Sequence, residues 1–309
     1  MRLSYDLSCE PSSRPAYVTV GVFDGVHLGH RRLITDMVKA ARQEGAMPLA
    51  VTFDPHPALA LGYVVPPLLT TIEERAALIA DLGVEQLFVL PFTQDLAHTS
   101  AHDFVGRLRG CLGMVGLWVG RDFSMGKHRE GYVHALQQLG EALDFTLHSV
   151  EPVCWGGAVV SSSRIRAALR EGDVTQAAGC LGQAYRLSGV VVHGDGRGHK
   201  IGVPTANVFP PPKRLVPGGG IYACLAHTAR LGTYPAAVSI GTRPTFVEAS
   251  GGVAVEAHLL GFDADIYDQS LVLDFVARLR DEWTFPDIDA LVAQIDKDIA
   301  QVVDLLGDG

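Results

Sequence analysis

The first part of the chain, as far as residue 181, alternates short apolar runs with stretches in which apolar residues recur every three or four positions. Strand-like runs occupy 17–23, 47–53, 86–90 and 115–120, and helical periodicity marks 29–44, 72–82, 101–110, 132–142, 163–170 and 174–181. Strands that alternate with helices form parallel sheets covered by those helices. We therefore predict a doubly wound, Rossmann-like α/β domain whose ligands bind at the carboxyl ends of the strands.

From about residue 185 the pattern changes, because strand-like runs follow one another without long helices between them. These runs are 187–193, 221–227, 236–240, 253–260 and 271–276. Short strands separated by turns predict a small antiparallel β-barrel, and the helical apolar face at 288–303 predicts a C-terminal helix packed on it. We place the domain boundary at residues 182–186, which divides the chain into 1–182 and 183–309.

Composition and charge narrow the classes of partner. Apolar residues make up 48 % of the 309 residues and charged residues 19 %, which is the balance of a folded protein. The net charge of −9 argues against a nucleic-acid partner, because such binding depends on Lys and Arg that neutralise phosphates. The five cysteines are scattered, and the N-terminus lacks the apolar core of a secretory signal. We expect reduced thiols, no membrane segment and a cytoplasmic location.

The first candidate site lies where the strand-like run 17–23 leads into a helix. His27 and His30 are three positions apart, so at a helix start they face the same way. A helix N-terminus also offers free N–H groups to an anion, and Gly25 and Gly29 permit close backbone approach. Two imidazoles there can stabilise charge that develops on a phosphate during nucleotidyl transfer. The alternatives are an ordinary surface helix and, less favoured because no third ligand is near, a zinc site.

Three more polar segments follow predicted strands or open predicted helices in the same half. They are T-F-D-P-H-P at 52–57, G-R-D-F-S-M-G at 120–126 and S-S-S-R-I-R at 161–166. The hydroxyls and guanidiniums of the last segment suit a phosphate clamp. Each segment alone is equally compatible with a loop or a capped helix. Their occurrence together favours a single binding site.

The four segments in this order resemble the FMN adenylyltransferase half of bacterial FAD synthetases, over residues 17–182. The H-x-G-H loop itself is similar to that of the wider nucleotidylyltransferase superfamily. The resemblance implies that His27 and His30 act on the ATP phosphates as catalytic residues. It further implies nucleotide or flavin contacts from Phe23, Asp24, Gly25, Gly29, His56, Asp122, Phe123, Gly126, Ser162, Ser163, Arg164 and Arg166.

The second candidate site begins with a glycine-rich loop in the barrel half. No Walker-type G-x-x-x-x-G-K-[ST] motif occurs, and strands rather than a helix follow this loop. Backbone amides of such a loop can form an anion-binding nest, although a flexible hairpin has the same composition. The glycines and cations concerned are Gly194, Gly196, Arg197, Gly198, Lys200 and Gly202.

Oxygen ligands follow this loop directly. In extended backbone Thr205 and Asn207, which follow Pro204, point to one face, and their hydroxyl and amide oxygens suit Mg²⁺ that is also held by ATP. A simple Pro-Thr-Asn turn is the alternative. The strand-like run 253–260 carries Glu256, which is either an exposed charge or a functional carboxylate.

The pattern G-x-G-R-G-x-K-x-G-x-P-T-A-N, together with V-E-A-H-L-L, resembles the riboflavin kinase family over residues 183–305. That resemblance implies Thr205 and Asn207 at Mg-ATP, and Glu256 as the base toward the ribityl hydroxyl. The two halves in this order imply an enzyme that converts riboflavin to FMN and FMN to FAD with ATP. Two alternatives stay open: another H-x-G-H nucleotidylyltransferase with an attached barrel, and a non-catalytic flavin-binding module.

Overall fold

The structure, a computed structural model, describes residues 1–7, 14–194, 202–242 and 253–307. It divides into two compact units, Met1–Ser162 and Ser163–Gly309. This division precedes the predicted boundary at 182–186, because two helices before that boundary group with the second unit. The assignment of each activity to 1–182 and 183–309 stays a prediction.

The first unit alternates strands with helices. Its strands are β1 (Arg2–Ser4), β2 (Ala16–Val20), β3 (Met47–Phe53), β4 (Gln86–Leu90), β5 (Met114–Gly120), β6 (Ser124–Met125), β7 (Gly131–Tyr132), β8 (Thr146–Val150), β9 (Cys154–Trp155) and β10 (Ala158–Val159). Its helices are α1 (Leu28–Gln43), α2 (Pro57–Ala60), α3 (Ile72–Asp81), α4 (Gln94–His98), α5 (Ala101–Leu112) and α6 (Val133–Leu143), with a 3₁₀ turn at Lys127–Arg129.

Six parallel strands form the central sheet, in the order β1-β4-β3-β2-β5-β8. Helices cover both faces: α1 and α3 pack on one apolar layer, and α5 and α6 pack on the other. The strand order reverses at β2, which opens a crevice between the carboxyl ends of β2 and β5. The predicted doubly wound, Rossmann-like fold is confirmed.

Polar caps place the helices that border this crevice. The His27 side chain caps α1, and Thr71 and Glu74 form a reciprocal capping box at the start of α3. Ser100 caps α5, which ends at Gly113 in the left-handed conformation. Each cap satisfies backbone groups that have no partner inside the helix, so the helix starts are well defined at the carboxyl edge of the sheet.

The second unit is a barrel with helices. Its elements are α7 (Ser162–Arg170), α8 (Val174–Leu181), β11 (Tyr185–Val192), β12 (Ala206–Phe209), β13 (Gly220–Thr228), β14 (Gly232–Thr242), β15 (Val253–Leu259), β16 (Ser270–Arg280) and α9 (Ile288–Leu306). The six strands close in the order β11-β12-β15-β14-β13-β16, and every neighbouring pair is antiparallel. The predicted barrel is confirmed.

The C-terminal helix α9 is fixed to the barrel by a buried ion pair. Asp298, which is 3 % exposed, accepts hydrogen bonds from Arg280 Nη2 at 2.7 Å and Arg280 Nε at 2.9 Å. Gln294 Nε2 donates to the same carboxylate at 2.9 Å. Such bidentate geometry makes the orientation of the helix specific. The predicted packing of this helix on the barrel is confirmed.

The structure bears on the expectations for the cysteines and for a membrane segment. Cys154, Cys180 and Cys224 are free thiols, but Cys111 is disulfide-bonded, so the expectation that every cysteine is reduced is wrong at Cys111. Across the described ranges, no helix is both long enough and apolar enough to cross a bilayer.

Candidate active sites

A cavity of about 1330 Å³ opens at the carboxyl edge of the parallel sheet. Its walls come from segments that follow β2, β3, β4, β5 and β8, as expected for ligands of a doubly wound sheet. The predicted site residues that line it are Phe23, His27, Gly29, His30, Asp122, Phe123 and Gly126. The structure therefore brings the H-x-G-H loop and the 120–126 segment together around one cleft.

His27 and His30 form a stacked pair at the start of α1. Their ring centroids are 3.6 Å apart and the ring planes differ by 17°. His27 Nδ1 accepts a hydrogen bond from the backbone N–H of His30 at 3.4 Å, which orients the first ring as the helix cap. The Phe23 ring packs edge-on against His30 at 5.2 Å. The predicted shared orientation of the two histidines is present in the structure.

Burial, with the neighbouring His27 and Arg75, lowers the pKa of His30 well below its ordinary value of 6.5. The ring is therefore uncharged at neutral pH and carries one N–H donor and one acceptor nitrogen. Its Nδ1 is buried, and no hydrogen bond reaches it within the described residues. A polar atom left unpaired next to a cleft is typical of a place where a polar ligand binds.

The loop that presents these histidines has strained backbone. Phe23 and Val26 have φ values of 52° and 39°, in the left-handed region that residues with a side chain seldom adopt. Asp24 lies between them and is 2 % exposed. Its carboxylate accepts hydrogen bonds from Leu69 N–H at 3.0 Å, Thr70 N–H at 3.0 Å and the Thr70 hydroxyl at 3.1 Å. Asp24 therefore connects the histidine loop to the backbone at Leu69 and Thr70, and it does not line the cleft.

Arg75 on α3 completes this buried network and was not among the predicted site residues. Its guanidinium lies 3.8 Å from Asp24, and Nη1 donates to the Thr52 hydroxyl at 3.3 Å. That hydroxyl in turn donates to Val22 C=O at 3.0 Å. The end of β3, the helix α3 and the histidine loop are therefore connected. The available signal was an arginine on the apolar face of α3, four positions before the buried Ile79.

The other predicted residues of this half lie outside the cavity lining, and all except Gly25 lie at a helix cap or on α7. His56 Nδ1 accepts from Ala58 N–H at 3.1 Å and so caps α2, and the Ser162 hydroxyl donates to Asp24 C=O at 3.0 Å. The residues on α7 in the second unit are Ser163, Arg164 and Arg166, of which Arg166 is buried. Nucleotide contacts of these residues, and of Gly25, stay predictions.

In the barrel, strand register brings two predicted kinase residues side by side. Asn207 on β12 is the direct cross-strand partner of Glu256 on β15, and Ser239 on β14 is the partner of Glu256 on its other side. Val255 and Ala257 are buried, so Glu256 lies on the opposite, half-buried face. Paired residues of an antiparallel ladder have Cβ atoms about 5 Å apart on the same face. The amide of Asn207 and the carboxylate of Glu256 are therefore neighbours.

The segment before β12 lies next to β15, the strand that carries Glu256. Thr205 precedes Asn207 by two positions and is half-buried, and Pro204 C=O accepts a hydrogen bond from His258 Nδ1 at 2.7 Å. A Cβ added to Gly194 would lie 2.2 Å from the Asn207 amide nitrogen, so the start of the glycine-rich loop is in close contact with that amide. Gly202 is exposed with φ 79°. The predicted residues Gly196, Arg197, Gly198 and Lys200 lie outside the described residues.

Comparison with solved structures supports the architecture. A crystal structure from Streptococcus pneumoniae, described as a macrolide-efflux protein, matches with a TM-score of 0.89 and 28 % sequence identity, and the match covers 97 % of each chain.

Comparison of sequences gives the family of each half. A sequence model described as FAD synthetase matches residues 9–164, and one described as riboflavin kinase matches residues 181–306. The bifunctional riboflavin kinase/FMN adenylyltransferase of Bacillus subtilis is 34 % identical over 93 % of this chain and 91 % of its own length. The Pseudomonas fluorescens enzyme of the same name is 35 % identical over 94 % and 93 %. The alternatives of an unrelated barrel and of a non-catalytic module lose their support, and the chain belongs to the bifunctional riboflavin kinase/FMN adenylyltransferase family.

Proposed function

We propose that the two activities of this family, riboflavin kinase and FMN adenylyltransferase, are located at the two sites described above. FMN is adenylylated in the cleft of the first unit at His27 and His30, and riboflavin is phosphorylated at the barrel around Thr205, Asn207 and Glu256. The observation that carries this proposal is that residues distant in sequence meet at each site. Asn207 and Glu256 are cross-strand partners, and the stacked histidines line the cleft formed by the strand ends.

In the cleft, a phosphate oxygen of FMN attacks the α-phosphorus of ATP. The bond from that phosphorus to the bridging oxygen breaks, and pyrophosphate leaves. An uncharged His30 can donate its N–H to a phosphate oxygen that gains negative charge, and the N-terminus of α1 adds free backbone N–H groups. The network of Asp24 and Arg75 acts on this step indirectly, because it fixes the loop that carries the histidines.

At the barrel, Glu256 accepts the proton of the ribityl 5′-hydroxyl while that oxygen attacks the γ-phosphorus of ATP and ADP leaves. The hydroxyl of Thr205 and the amide oxygen of Asn207 are hard oxygen donors, and the position of Asn207 beside Glu256 fits a Mg²⁺ site that is shared with ATP. Bound Mg²⁺ would neutralise charge on the phosphates. Among the described residues no group of three or more His, Cys, Asp or Glu could hold a metal ion.

The test is a separation of the two activities by mutation. Purified chain incubated with riboflavin and Mg-ATP should form FMN and FAD, which chromatography resolves. His30→Ala should lower FAD formation from supplied FMN by about 10²–10³-fold and leave FMN formation unchanged. Glu256→Gln should lower FMN formation by about 10²–10⁴-fold and leave adenylyl transfer to supplied FMN intact.

Matched controls are His134→Ala on α6 and Asp304→Asn on α9, two exposed positions outside both sites. Neither should change either rate. Equal losses of both activities in His30→Ala or in Glu256→Gln would show a shared site or a general folding defect. That outcome would contradict the proposed separation.

We also propose a cytoplasmic location. We further propose that the chain has no nucleic-acid partner, which the net charge of −9 supports. Cell fractionation followed by immunodetection checks the location. Detection of the chain in a secreted or membrane fraction would overturn it.

A further inference from the structure

One wall of the adenylyltransferase cleft is basic although the chain as a whole is acidic. Lys127, His128 and Arg129 are consecutive, line the cavity and are exposed. Arg129 Nε donates to the Ser124 hydroxyl at 2.8 Å, which fixes one edge of its guanidinium. In the described part of the chain neither Lys127 nor Arg129 has a carboxylate within ion-pair distance.

The other charged residues that line the cavity offset one another. Arg121 forms an ion pair with Glu151 at 2.8 Å, and among the described residues that line the cavity Asp122 is the one remaining carboxylate. The unpaired positive charge of the cleft is therefore concentrated at Lys127 and Arg129. Such a concentration in a chain of net charge −9 favours an anionic ligand at this wall.

The loop that carries these cations is fixed in place. Lys127 N–H donates to Thr99 C=O at 3.0 Å, and the Glu130 carboxylate accepts from Ala101 N–H at 2.9 Å. Gly126 has φ 77°, and a Cβ there would lie 2.5 Å from the backbone nitrogen of Ala101. The loop therefore packs directly on the start of α5, and this contact requires glycine.

Two residues of the same loop are strained. His128 and Arg129 have φ values of 57° and 62°, in the left-handed region that residues with a side chain seldom adopt. Strain of this kind persists where surrounding contacts hold it, and it is concentrated at ligand-binding positions. The packing on α5 supplies those contacts here.

The cleft is large enough to hold a second substrate beside ATP. A cavity of about 1330 Å³ is larger than the roughly 300–1,000 Å³ of a typical single-ligand pocket, so it has room for two substrates. In the proposed function the histidine pair faces the phosphates of ATP. The 5′-phosphate of FMN is a second anion, and among the described residues that line the cleft the proposed function has assigned no cation to it.

We propose that Lys127 and Arg129 bind the 5′-phosphate of FMN. This rests on the proposed function of the cleft, because it names the part of the site that recognises the phosphorylated flavin. Arginine presents a planar pair of N–H donors to phosphate oxygens, and lysine adds a point charge. The triphosphate of ATP is the alternative ligand for these two cations, because it presents the same kind of phosphate oxygen anions as FMN.

The experiment measures adenylyl transfer by the full chain with FMN and Mg-ATP varied separately. Lys127→Gln and Arg129→Gln should each raise KM for FMN by about 10- to 100-fold and leave KM for ATP unchanged. Arg129→Lys, which keeps the charge, should recover part of the loss. KM for FMN should rise with salt in the unmodified chain and less in the double variant, because exposed charges are screened. Lys39→Ala, an equal charge loss outside the cleft, is the control.

Three results would overturn the proposal. A rise in KM for ATP alone would assign this wall to the triphosphate. A fall in kcat with both KM values unchanged would show that the loop does not bind ground-state substrate. Unchanged kinetics in both variants would leave the cations without a role. Absence of adenylyl transfer in the unmodified chain would instead refute the proposed function of the cleft, so the two failures are distinguishable.

Discussion

Asp24→Asn tests whether the buried network beneath the histidine loop controls adenylyl transfer. The substitution keeps the shape of the side chain and removes its charge. Asp24 is 2 % exposed and Arg75 is 4 % exposed, so the change removes a buried negative charge that faces a buried guanidinium. It also places an NH₂ group where one carboxylate oxygen accepted hydrogen bonds from the backbone around Leu69.

The magnitude follows from these contacts. Removal of one partner of a buried ion pair costs about 3–5 kcal/mol. The pair here is long, at 3.8 Å, and Arg75 keeps hydrogen bonds to Thr52 and to Phe53 C=O. We therefore expect a loss at the lower end of this range, about 3 kcal/mol of the free energy of unfolding. For a unit of this size that loss lowers Tm by roughly 6–12 °C.

The assay combines thermal unfolding with both activities. Asp24→Asn should lower the Tm of the first unit and slow adenylyl transfer, while riboflavin phosphorylation persists at temperatures where the variant is folded. Asp36→Asn is the control, because its ion-pair partner Arg32 on α1 is exposed and loss of this pair should not change stability measurably.

An Asp24→Asn variant that keeps its Tm and raises KM for ATP would contradict a supporting role of Asp24 beneath the loop. That result would make Asp24 a nucleotide ligand, as the family resemblance implies. A stable variant with normal kinetics would also contradict it.

Three further predictions follow from other contacts. Burial holds the pKa of His30 below its ordinary value of 6.5. Below about pH 6.5 the unfolded chain therefore binds a proton at His30, whereas the folded chain does not. Stability should therefore fall as pH falls below about 6.5, and His30→Gln should reduce that slope by up to about 1.4 kcal/mol per pH unit in urea titrations. Asp298→Asn should cost about 3–5 kcal/mol in the unfolding of the second unit and lower the inactivation temperature of the kinase only. A fragment that begins at Gln183 lacks α8, which packs on β11 and β16, and should melt below one that begins at Ser162; equal melting temperatures would favour the boundary at 182–186.

Strands whose residues are nearly all apolar were predictable from sequence. The prediction for β3 and β4 is correct to the residue, because a strand buried on both faces has a continuous apolar run. The edge strand β8, T-L-H-S-V, was missed because it is half-exposed and polar. The predicted strand 17–23 ends at Val20, because the chain turns through the left-handed residue Phe23, which no local pattern indicates.

The identities of the site residues were more predictable from the sequence than the distances between them. Motifs identified His27, His30, Asn207 and Glu256, since these residue types suit phosphate chemistry. Their distances depend on contacts across long sequence separations, which local patterns do not contain. Arg75 was missed for the same reason, because its partner Asp24 comes from another element and arginine on an amphipathic helix usually faces solvent.

The cross-strand pairing of Asn207 with Glu256 limits how this barrel can change during evolution. Side chains alternate along a strand, so one inserted or deleted residue within β12 or β15 would turn one of the two groups to the opposite face of the ladder. Many substitutions elsewhere on these strands leave the pairing intact. Length variation in the kinase half should therefore be confined to its connecting loops, and libraries for engineering flavin phosphorylation should vary loop lengths while they keep these strand lengths constant.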